Sequence, residues 1–340
     1  MSLAEDLEAA PQAEDLRRAL RNAQVALRRE KDRSAGLVEA TLQAARDATL
    51  SMGPVRPVRP PKLRRGPGDE QVALMVMGDW QGSKVTTSYD SEVMKERVAL
   101  YTRKVERVVG MHRDSHPVRK GVFAFGGDMV EGLFNFPTQP FEIDQTLFGQ
   151  FVTVGRLLTD VVRWGLSVFD EVEVVSEWGN HGRLGSRRSC VPRSDNLDRM
   201  CYAHAAGMLE GEGRLTWNEC PTDVQRIRIG KYRALLIHGD EIGRNGFASP
   251  MTIVRHADRW ASGSYPWKFR DVYSHHYHTH AEFPMANGRG AVYQTGSTES
   301  DNRYTGEMLA AAATPSQRLH FVDPREGMVT AQYKILLDKD

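Results

Sequence analysis

The sequence contains little cysteine and no long apolar run. Its only cysteines are Cys190, Cys201 and Cys220, and their spacing matches no cysteine-ligated metal site. So few cysteines exclude a disulfide scaffold and favour a reducing, cytoplasmic environment. No apolar stretch approaches the roughly 20 residues that a membrane helix needs. The amino-terminal segment is acidic and has no apolar part resembling a signal peptide. We therefore expect a cytoplasmic protein that does not associate with membranes.

The chain also lacks a strong excess of either charge. It has 45 Lys and Arg against 44 Asp and Glu, a net charge of +1, so no overall field favours nucleic acid or membranes. Its composition, 40% hydrophobic and 26% charged, is ordinary for a globular protein. A length of 340 residues suits one large domain or two smaller ones.

An amino-terminal arm is predicted over residues 1–50. Leu16, Leu20, Ala23 and Leu27 recur at helical spacing, which predicts a long helix. Two interpretations remain open. The helix either packs on its own domain with a solvated outer face, or it is a self-association arm that forms a homodimer.

A linker is predicted over residues 51–69, and it leads into a domain over 70–340. Its prolines exclude a regular helix. The linker is also basic, with Arg56, Arg59, Lys62, Arg64 and Arg65. It is either a solvated tether or a basic arm that contacts a nucleic-acid backbone.

Beyond the linker, apolar runs that predict strands end in polar side chains. The runs and the residues after them are 72–77 with Asp79 and Gln81, 122–125 with Asp128 and Glu131, 172–176 with Asn180 and His181, 234–237 with His238, and a run around Val272 with His275, His276, His278 and His280. Helical patterns separate the first strands, at 91–112, 141–164 and 197–209. Such alternation predicts a layered α/β fold, in which sites form at the carboxyl ends of strands.

The order of these strand ends resembles the calcineurin-like metallophosphoesterase superfamily. The family pattern is Asp-x-His, Gly-Asp, Gly-Asn-His, a single His and a final pair of His residues. The resemblance runs from residue 72 to about residue 304. With Gly179 to Arg183 and Gly296-Ser297, it is strongest for phage-type members related to the Mre11/SbcD nucleases. It implies a four-layer α/β/β/α sandwich, here preceded by the amino-terminal helix.

The resemblance also implies two divalent metal ions. It makes Asp128 the bridging ligand and assigns Asp79 and Gln81 to one ion, with a His of the final pair. Asn180, His238 and the other His of that pair would hold the second ion. We expect Mn²⁺, while Mg²⁺, Fe, Zn and Ni are also compatible with these donors. Two ions about 3.5–4 Å apart supply a nucleophile and neutralise phosphoryl charge.

Two further residues have roles implied by the resemblance. His181 would stabilise the phosphoryl oxygens or protonate the leaving group, and an unperturbed imidazole pKa near 6.5 suits that work. Arg183 would bind substrate phosphate, because a guanidinium can grip it through two hydrogen bonds. The alternative for Arg183 is a solvated loop residue.

Four positions depart from the family pattern. Glu131 stands where the family commonly has a second aspartate, and we expect it to hydrogen-bond the groups around the metals rather than bind them. Gln81 stands where His is usual, and its amide oxygen would be a weaker ligand. Gly182 stands where an acid often follows the His, so no neighbouring acid holds the ring of His181. The final motif lacks its glycine, which leaves two registers, His276 with His278 or His278 with His280. We expect the first register.

Several functions share this set of ligands. We expect a phosphoesterase that cleaves phosphodiester bonds in DNA or nucleotides in the manner of an exonuclease. A cyclic-nucleotide phosphodiesterase and a protein phosphatase are the alternatives. A nucleic-acid-binding scaffold with a degenerate site is the non-enzymatic one. Because Asp128, Asn180 and His238 are all present, the sequence favours the enzyme.

Overall fold

The structure is a computed structural model, and the chain divides into two units, residues 1–47 and 48–340. The residues that it describes are 25, 47, 56–62, 66–136, 138–185, 192–218, 222–242, 250–286, 288, 290–300 and 314–338. The predicted amino-terminal helix and the end of the resemblance near residue 304 lie outside these ranges. The two sheets and the helices that cover them belong to the second unit.

The strands and helices of this unit follow one another along the chain. The strands are β1 (Val72–Met77), β2 (Lys120–Gly126), β3 (Glu171–Glu177), β4 (Leu215–Asn218), β5 (Gln225–Ile229), β6 (Tyr232–Leu236), β7 (Asp271–Ser274), β8 (Ala281–Pro284), β9 (Ala291–Gln294), β10 (Ser316–Asp323) and β11 (Met328–Leu336). The helices are α1 (Ser91–Arg113), α2 (Leu147–Val168), α3 (Leu197–Met208) and α4 (Pro250–Arg259), and a π-helical turn, Trp260–Ser264, follows α4.

The strands form two sheets. The six-stranded sheet has the order β11-β10-β1-β2-β3-β4, in which β1 to β4 run parallel to one another and β10 pairs antiparallel with β1. The five-stranded sheet has the order β5-β6-β7-β9-β8, with β6, β7 and β9 parallel. Parallel neighbours direct their carboxyl ends to the same edge. The loops after β1, β2 and β3 therefore meet at one edge of the first sheet.

The two sheets pack face to face, and helices cover their outer faces. Leu74 and Val76 of β1 contribute to a core shared with Leu236 and Tyr273 of the second sheet. On the outer face of the first sheet, the ring of Phe123 packs against that of Trp164 in α2. Apolar side chains of α4 pack on the outer face of the second sheet in a separate cluster. The four-layer α/β/β/α arrangement is therefore confirmed.

Some element bounds differ from the sequence predictions. The predicted helix at 141–164 begins only at Leu147, because the Thr146 side chain caps it by accepting the N–H of Gly149. Gln139–Phe141 forms a separate 3₁₀ turn before it. Phe148, in the first turn of α2, is 46% exposed. The helix α4 and the four-residue strands β4 and β8 were not predicted, since elements this short carry little periodic signal.

The described part of the linker packs at the end of the first sheet that lies away from the predicted ligands. Arg214, which immediately precedes β4, donates to the backbone oxygen of Val58 at 2.8 Å. It also donates to the backbone oxygen of Leu166, near the end of α2. Arg56, Arg59 and Lys62 are exposed there. Among the described residues, none of the helices combines the length and apolar character needed to cross a membrane.

Candidate metal centre

The predicted ligands lie in backbone conformations that are rare for residues with side chains. Asp79 (φ 49°), Gln81 (48°), Asp128 (51°), His276 (74°) and His278 (53°) all occupy the left-handed region. Each such residue costs on the order of 1–3 kcal/mol, and such strain concentrates at functional sites. The surrounding structure must therefore hold these loops firmly.

Backbone hydrogen bonds join the first two loops. The N–H of Asp79 donates to the Gly127 oxygen at 2.9 Å, and that of Gln81 donates to the Asp128 oxygen at 3.0 Å. The third loop approaches so closely that a Cβ on Gly179 would lie 2.0 Å from Oδ1 of Asp128. Only glycine fits at that position, so the loops are packed against each other without a gap.

Four of the predicted ligands form one half of the centre, the Asp128 half: Asp128, Asn180, His238 and His276. Nδ1 of His238 donates to the Gly126 oxygen at 2.8 Å, which leaves its Nε2 as the ligating nitrogen. That Nε2 lies 3.0 Å from Oδ2 of Asp128 and 3.1 Å from Oδ1 of Asn180. Ligand atoms of Asp128, His238 and His276 all lie within 4.8 Å of one another.

The other half, the Asp79 half, comprises Asp79, Gln81 and His278. Nε2 of His278 lies 3.6 Å from Oδ1 of Asp79 and 3.3 Å from Nε2 of Gln81. On the far side of its ring, Nδ1 of His278 lies 3.0 Å from Oε2 of Glu299. The N–H of His276 reaches both oxygens of Asp79, at 3.2 and 3.1 Å, and so joins the two halves.

The electrostatics of both halves fit a cation. Because Nδ1 of His238 carries the proton donated to Gly126, a neutral ring would point the lone pair of Nε2 at two oxygens. A proton or a metal ion must lie between them. Within the described residues, buried Oδ2 of Asp128 and Oε1 of Gln81 have no hydrogen-bond donor. Unpaired buried acceptors cost about 1–3 kcal/mol each. A divalent ion held by carboxylate, amide and imidazole donors would satisfy them.

Contacts with neighbouring imidazoles lower the pKa of both carboxylates and so favour their ionised forms. Burial alone would raise the pKa of Asp79, but contacts from His275 and His278 hold it far below its usual range. Burial likewise opposes ionisation of Asp128, and the charges of His238 and His181 outweigh it and lower the pKa. Conversely, burial would lower the pKa of His238, yet the Asp128 charge raises it well above its ordinary value. Each half therefore pairs a buried carboxylate with a positive charge, which a proton on the imidazole or a bound metal ion can supply.

His181 sits beside the Asp128 half, and its ring is held in place. The backbone N–H of His181 donates to Oδ1 of Asp128 at 2.7 Å. Its Nδ1 lies 3.1 Å from both the backbone oxygen and Oε2 of Glu131, while its Nε2 lies 3.9 Å from Oδ2 of Asp128. Burial lowers the pKa, but Glu131 and Asp128 raise it to about 9. Glu131 thus replaces the acid that Gly182 cannot provide.

Two other predicted residues have different surroundings. The guanidinium of Arg183 donates to Oδ2 of Asp240, so it is held at the rim by an acid of the His238 loop. His280 lies near Arg318 and Lys334. Burial, reinforced by these cations, lowers the pKa of His280 to about 3. The structure thus brings His276 and His278, rather than His280, to the other predicted ligands.

Sequence reasoning missed Asp198, which supports the Asp128 half. Its fully buried carboxylate accepts the N–H groups of Asp128 (2.8 Å), Met129 (3.0 Å), Val130 (3.2 Å) and Gly179 (2.9 Å). One side chain thereby fixes two loops from different strands. In the sequence, Asp198 appears only as an acid in the first turn of a helix, which is common without any such role.

His275 was also given no role, although it is fully buried beneath the centre. Its Nδ1 lies 3.3 Å from Oδ2 of Asp79. A Cβ on Gly126 would lie 1.9 Å from its ring, and one on Gly78 would lie 2.4 Å from it. The glycines that end β1 and β2 therefore make room for this imidazole, a relation that only the folded chain reveals.

Comparison with known proteins finds solved structures that are similar to this chain, but it does not assign the chain to a family. None of the protein-family models matches this chain, and no curated protein matches it either. Solved structures similar to it include zinc-bound Vps29 from Entamoeba histolytica, at 11% identity over 77% of this chain and 99% of that one, with a TM-score of 0.35. Another is a predicted phosphoesterase from Streptococcus pneumoniae, at 12% identity over 78% and 98%, with a TM-score of 0.31. Scores this low carry no argument, so the fold rests on the order and packing of the two sheets.

Proposed function

We propose that this chain is a metal-dependent phosphoesterase that hydrolyses phosphodiester bonds in DNA or nucleotides. One observation carries the proposal, the approach of His238 Nε2 to oxygens of Asp128 and Asn180 at 3.0 and 3.1 Å. That arrangement requires a positive charge between the groups, in a site that already concentrates carboxylates. The Asp128 half and the Asp79 half would each hold one divalent ion, and Mn²⁺ is the ion that we favour.

The metals would supply a nucleophile at neutral pH and neutralise charge on the phosphoryl group. The chain's own residues would do the rest. With Nδ1 turned toward Glu131, His181 has its Nε2 on the side of the proposed metal centre, 3.9 Å from Oδ2 of Asp128. From there it would donate a proton to the leaving oxygen. Gln139 is buried beside this ring, with its Nε2 at 3.3 Å from His181 Nδ1, and it also accepts the N–H of Phe136.

Phe136 favours a nucleotide over a phosphoprotein. Its ring centroid lies 5.2 Å from that of His181, and its side chain is 46% exposed. An exposed aromatic face next to the proton donor suits a leaving group that carries a nucleobase, since bases stack on aromatic side chains. A second function, binding of nucleic acid without hydrolysis, uses the same surfaces, and a hydrolysis assay separates the two.

The proposal is tested with protein stripped of metal and reloaded with Mn²⁺. The substrates are linear double-stranded DNA, single-stranded DNA, 2′,3′- and 3′,5′-cyclic nucleotides, a phosphopeptide and bis-para-nitrophenyl phosphate. We expect metal-dependent cleavage of DNA or nucleotides and none by the Asp128→Ala variant. Binding of DNA with no hydrolysis of any substrate would identify a scaffold. Cleavage of the phosphopeptide alone would identify a phosphatase.

A further inference from the structure

A group of exposed and half-exposed basic residues lies on β5 and β6 and in the segments next to them, and none of these residues is a predicted metal ligand. We call it the basic stripe: Arg226, Arg228, Lys231, Arg233, Lys268 and Arg270. Along β5, Gln225, Ile227 and Ile229 are buried while Arg226 and Arg228 are exposed. This alternation turns both arginines outward from an edge strand.

The stripe brings like charges together. Arg228 lies directly opposite Arg233 in the antiparallel register of β5 and β6. Like charges at directly opposite positions destabilise a sheet. Neither residue, nor any other member of the stripe, forms an ion pair with a described residue. Folding alone gives no reason for this arrangement.

Aromatic rings form part of the same surface. The guanidinium of Arg226 lies 5.7 Å from the ring centre of Tyr265 and 5.6 Å from that of Trp267. Arg233, on β6, lies 5.8 Å from the ring centre of Trp267, which stands in the segment before β7. Both rings are half-buried against the apolar cluster beneath α4. These contacts place the guanidinium groups of Arg226 and Arg233 beside the same indole ring.

The stripe continues toward the metal centre. Arg226 faces Leu235 near the end of β6, and that strand leads directly into His238. Arg233 stands at the opposite end of β6, about 16 Å from His238 at roughly 3.3 Å per residue. Through Arg226, one end of the stripe therefore points along these strands toward the edge at which the ligands gather, while Arg228 and Arg233 lie toward the other end.

We propose that the basic stripe binds the sugar–phosphate backbone of a single-stranded nucleic acid and leads it toward the metal centre. Grooves that bind single strands combine cations along the backbone with aromatic rings, and this surface has both. Positive charge that forms no ion pair with a described residue is also complementary to a polyanion. The inference rests on the proposed function for the fate of the strand, but binding itself needs no turnover.

The test therefore measures binding in EDTA, by fluorescence anisotropy of a labelled single-stranded oligonucleotide over a series of salt concentrations. The stripe variant is Arg226→Gln/Arg228→Gln/Arg233→Gln. The matched control removes the same charge from the linker, as Arg56→Gln/Arg59→Gln/Lys62→Gln. Polyglutamate and vesicles containing an anionic lipid serve as competitors, and thermal melting reports on folding.

We expect the stripe variant to bind about 30-fold or more weakly near 0.1 M salt, with a salt slope smaller by about 2, because each lost phosphate contact removes about 0.7. The linker control should bind like the wild type. The stripe variant should melt close to the wild type, because removing the like-charged pair offsets the loss of the cation–π contacts with Tyr265 and Trp267. The proposal would be overturned if the stripe variant bound the oligonucleotide as tightly as the wild type, or if the linker control lost as much affinity as the stripe variant. It would also be overturned if polyglutamate or the vesicles displaced the labelled oligonucleotide as well as the unlabelled oligonucleotide does. Because EDTA removes the metals, this assay measures binding without hydrolysis. A negative result here would therefore leave the phosphoesterase proposal standing, and a failed hydrolysis assay would leave the binding proposal standing.

Discussion

The Asp128 half and the Asp79 half hold their donors in different ways. In the Asp128 half, the carboxylate of Asp198 accepts four backbone N–H groups from the loops that carry Asp128 and Asn180. Two imidazoles, His238 and His276, complete that half. The Asp79 half has one imidazole and an amide, and both oxygens of its carboxylate already accept the N–H of His276.

The difference implies that the two ions are not equivalent. Preorganised donors with a supported backbone bind a metal more tightly, because outer contacts fix the ligands before the ion arrives. The amide oxygen of Gln81 is a weaker ligand than an imidazole, and Asp79 must share its oxygens. We therefore expect a tightly held ion in the Asp128 half and an exchangeable one in the Asp79 half.

The largest expected effect is that of Asp128→Ala, which removes the residue on which both halves depend. Elemental analysis of the variant should find neither ion, and hydrolysis should fall to background. The matched variant Asp79→Ala should keep the ion of the Asp128 half. Full metal content in the Asp128 variant would show that the halves are misassigned.

Replacing His181 by Asn separates chemistry from metal binding in the Asp128 half. Loss of a general acid should slow DNA hydrolysis by about 10²–10⁴, while both ions remain bound. With a nitrophenyl ester the loss should shrink, because that oxygen leaves without a proton. Equal losses on both substrates would instead indicate that His181 stabilises the phosphoryl oxygens.

Two of the final histidines, His276 and His278, are each expected to bind a different ion. We expect His276→Ala to weaken the ion of the Asp128 half and His278→Ala that of the Asp79 half, each by about 10–100-fold or more in affinity. His280→Ala should have little effect, because its ring lies near Arg318 and Lys334. If His280→Ala weakened metal binding more than His276→Ala, the ligands would be His278 and His280 instead.

Asp198→Asn tests the support of the Asp128 half. The amide keeps the volume of the side chain but turns an N–H₂ group toward backbone N–H donors. Affinity for the tightly held ion should fall by about tenfold, with little change at the Asp79 half. Calorimetric titration of the metal-free variant measures this, and equal weakening of both ions would mean that Asp198 only maintains the fold.

The smallest effect is expected from Gln81→His, which makes the two halves more alike. An imidazole at this position should tighten the exchangeable ion and bring its affinity closer to that of the other. Gln81→Ala is the control and should weaken the same ion. If neither substitution alters the affinity for the exchangeable ion of the Asp79 half, Gln81 is not a ligand.

The sequence predicts the strands and the residues at their ends, because each motif is local. A buried strand followed by Asp79 or Asp128 can be identified without knowing what packs against it. Contacts between distant segments could not be predicted. Asp198 looks like an ordinary helix start, and the space for His275 depends on glycines far along the chain. Likewise, Arg228 and Arg233 become neighbours only through the register of β5 and β6.

The most direct test of the central claim is a Mn²⁺ titration of metal-free wild-type protein by calorimetry, with elemental analysis at saturation. The account predicts two ions per chain that bind in separate steps, the first at least about tenfold tighter. Asp198→Asn should then shift only the first step, and Gln81→His only the second. A single ion at saturation, or two ions that bind with equal affinity and respond equally to both variants, would contradict a two-metal centre with unequal halves.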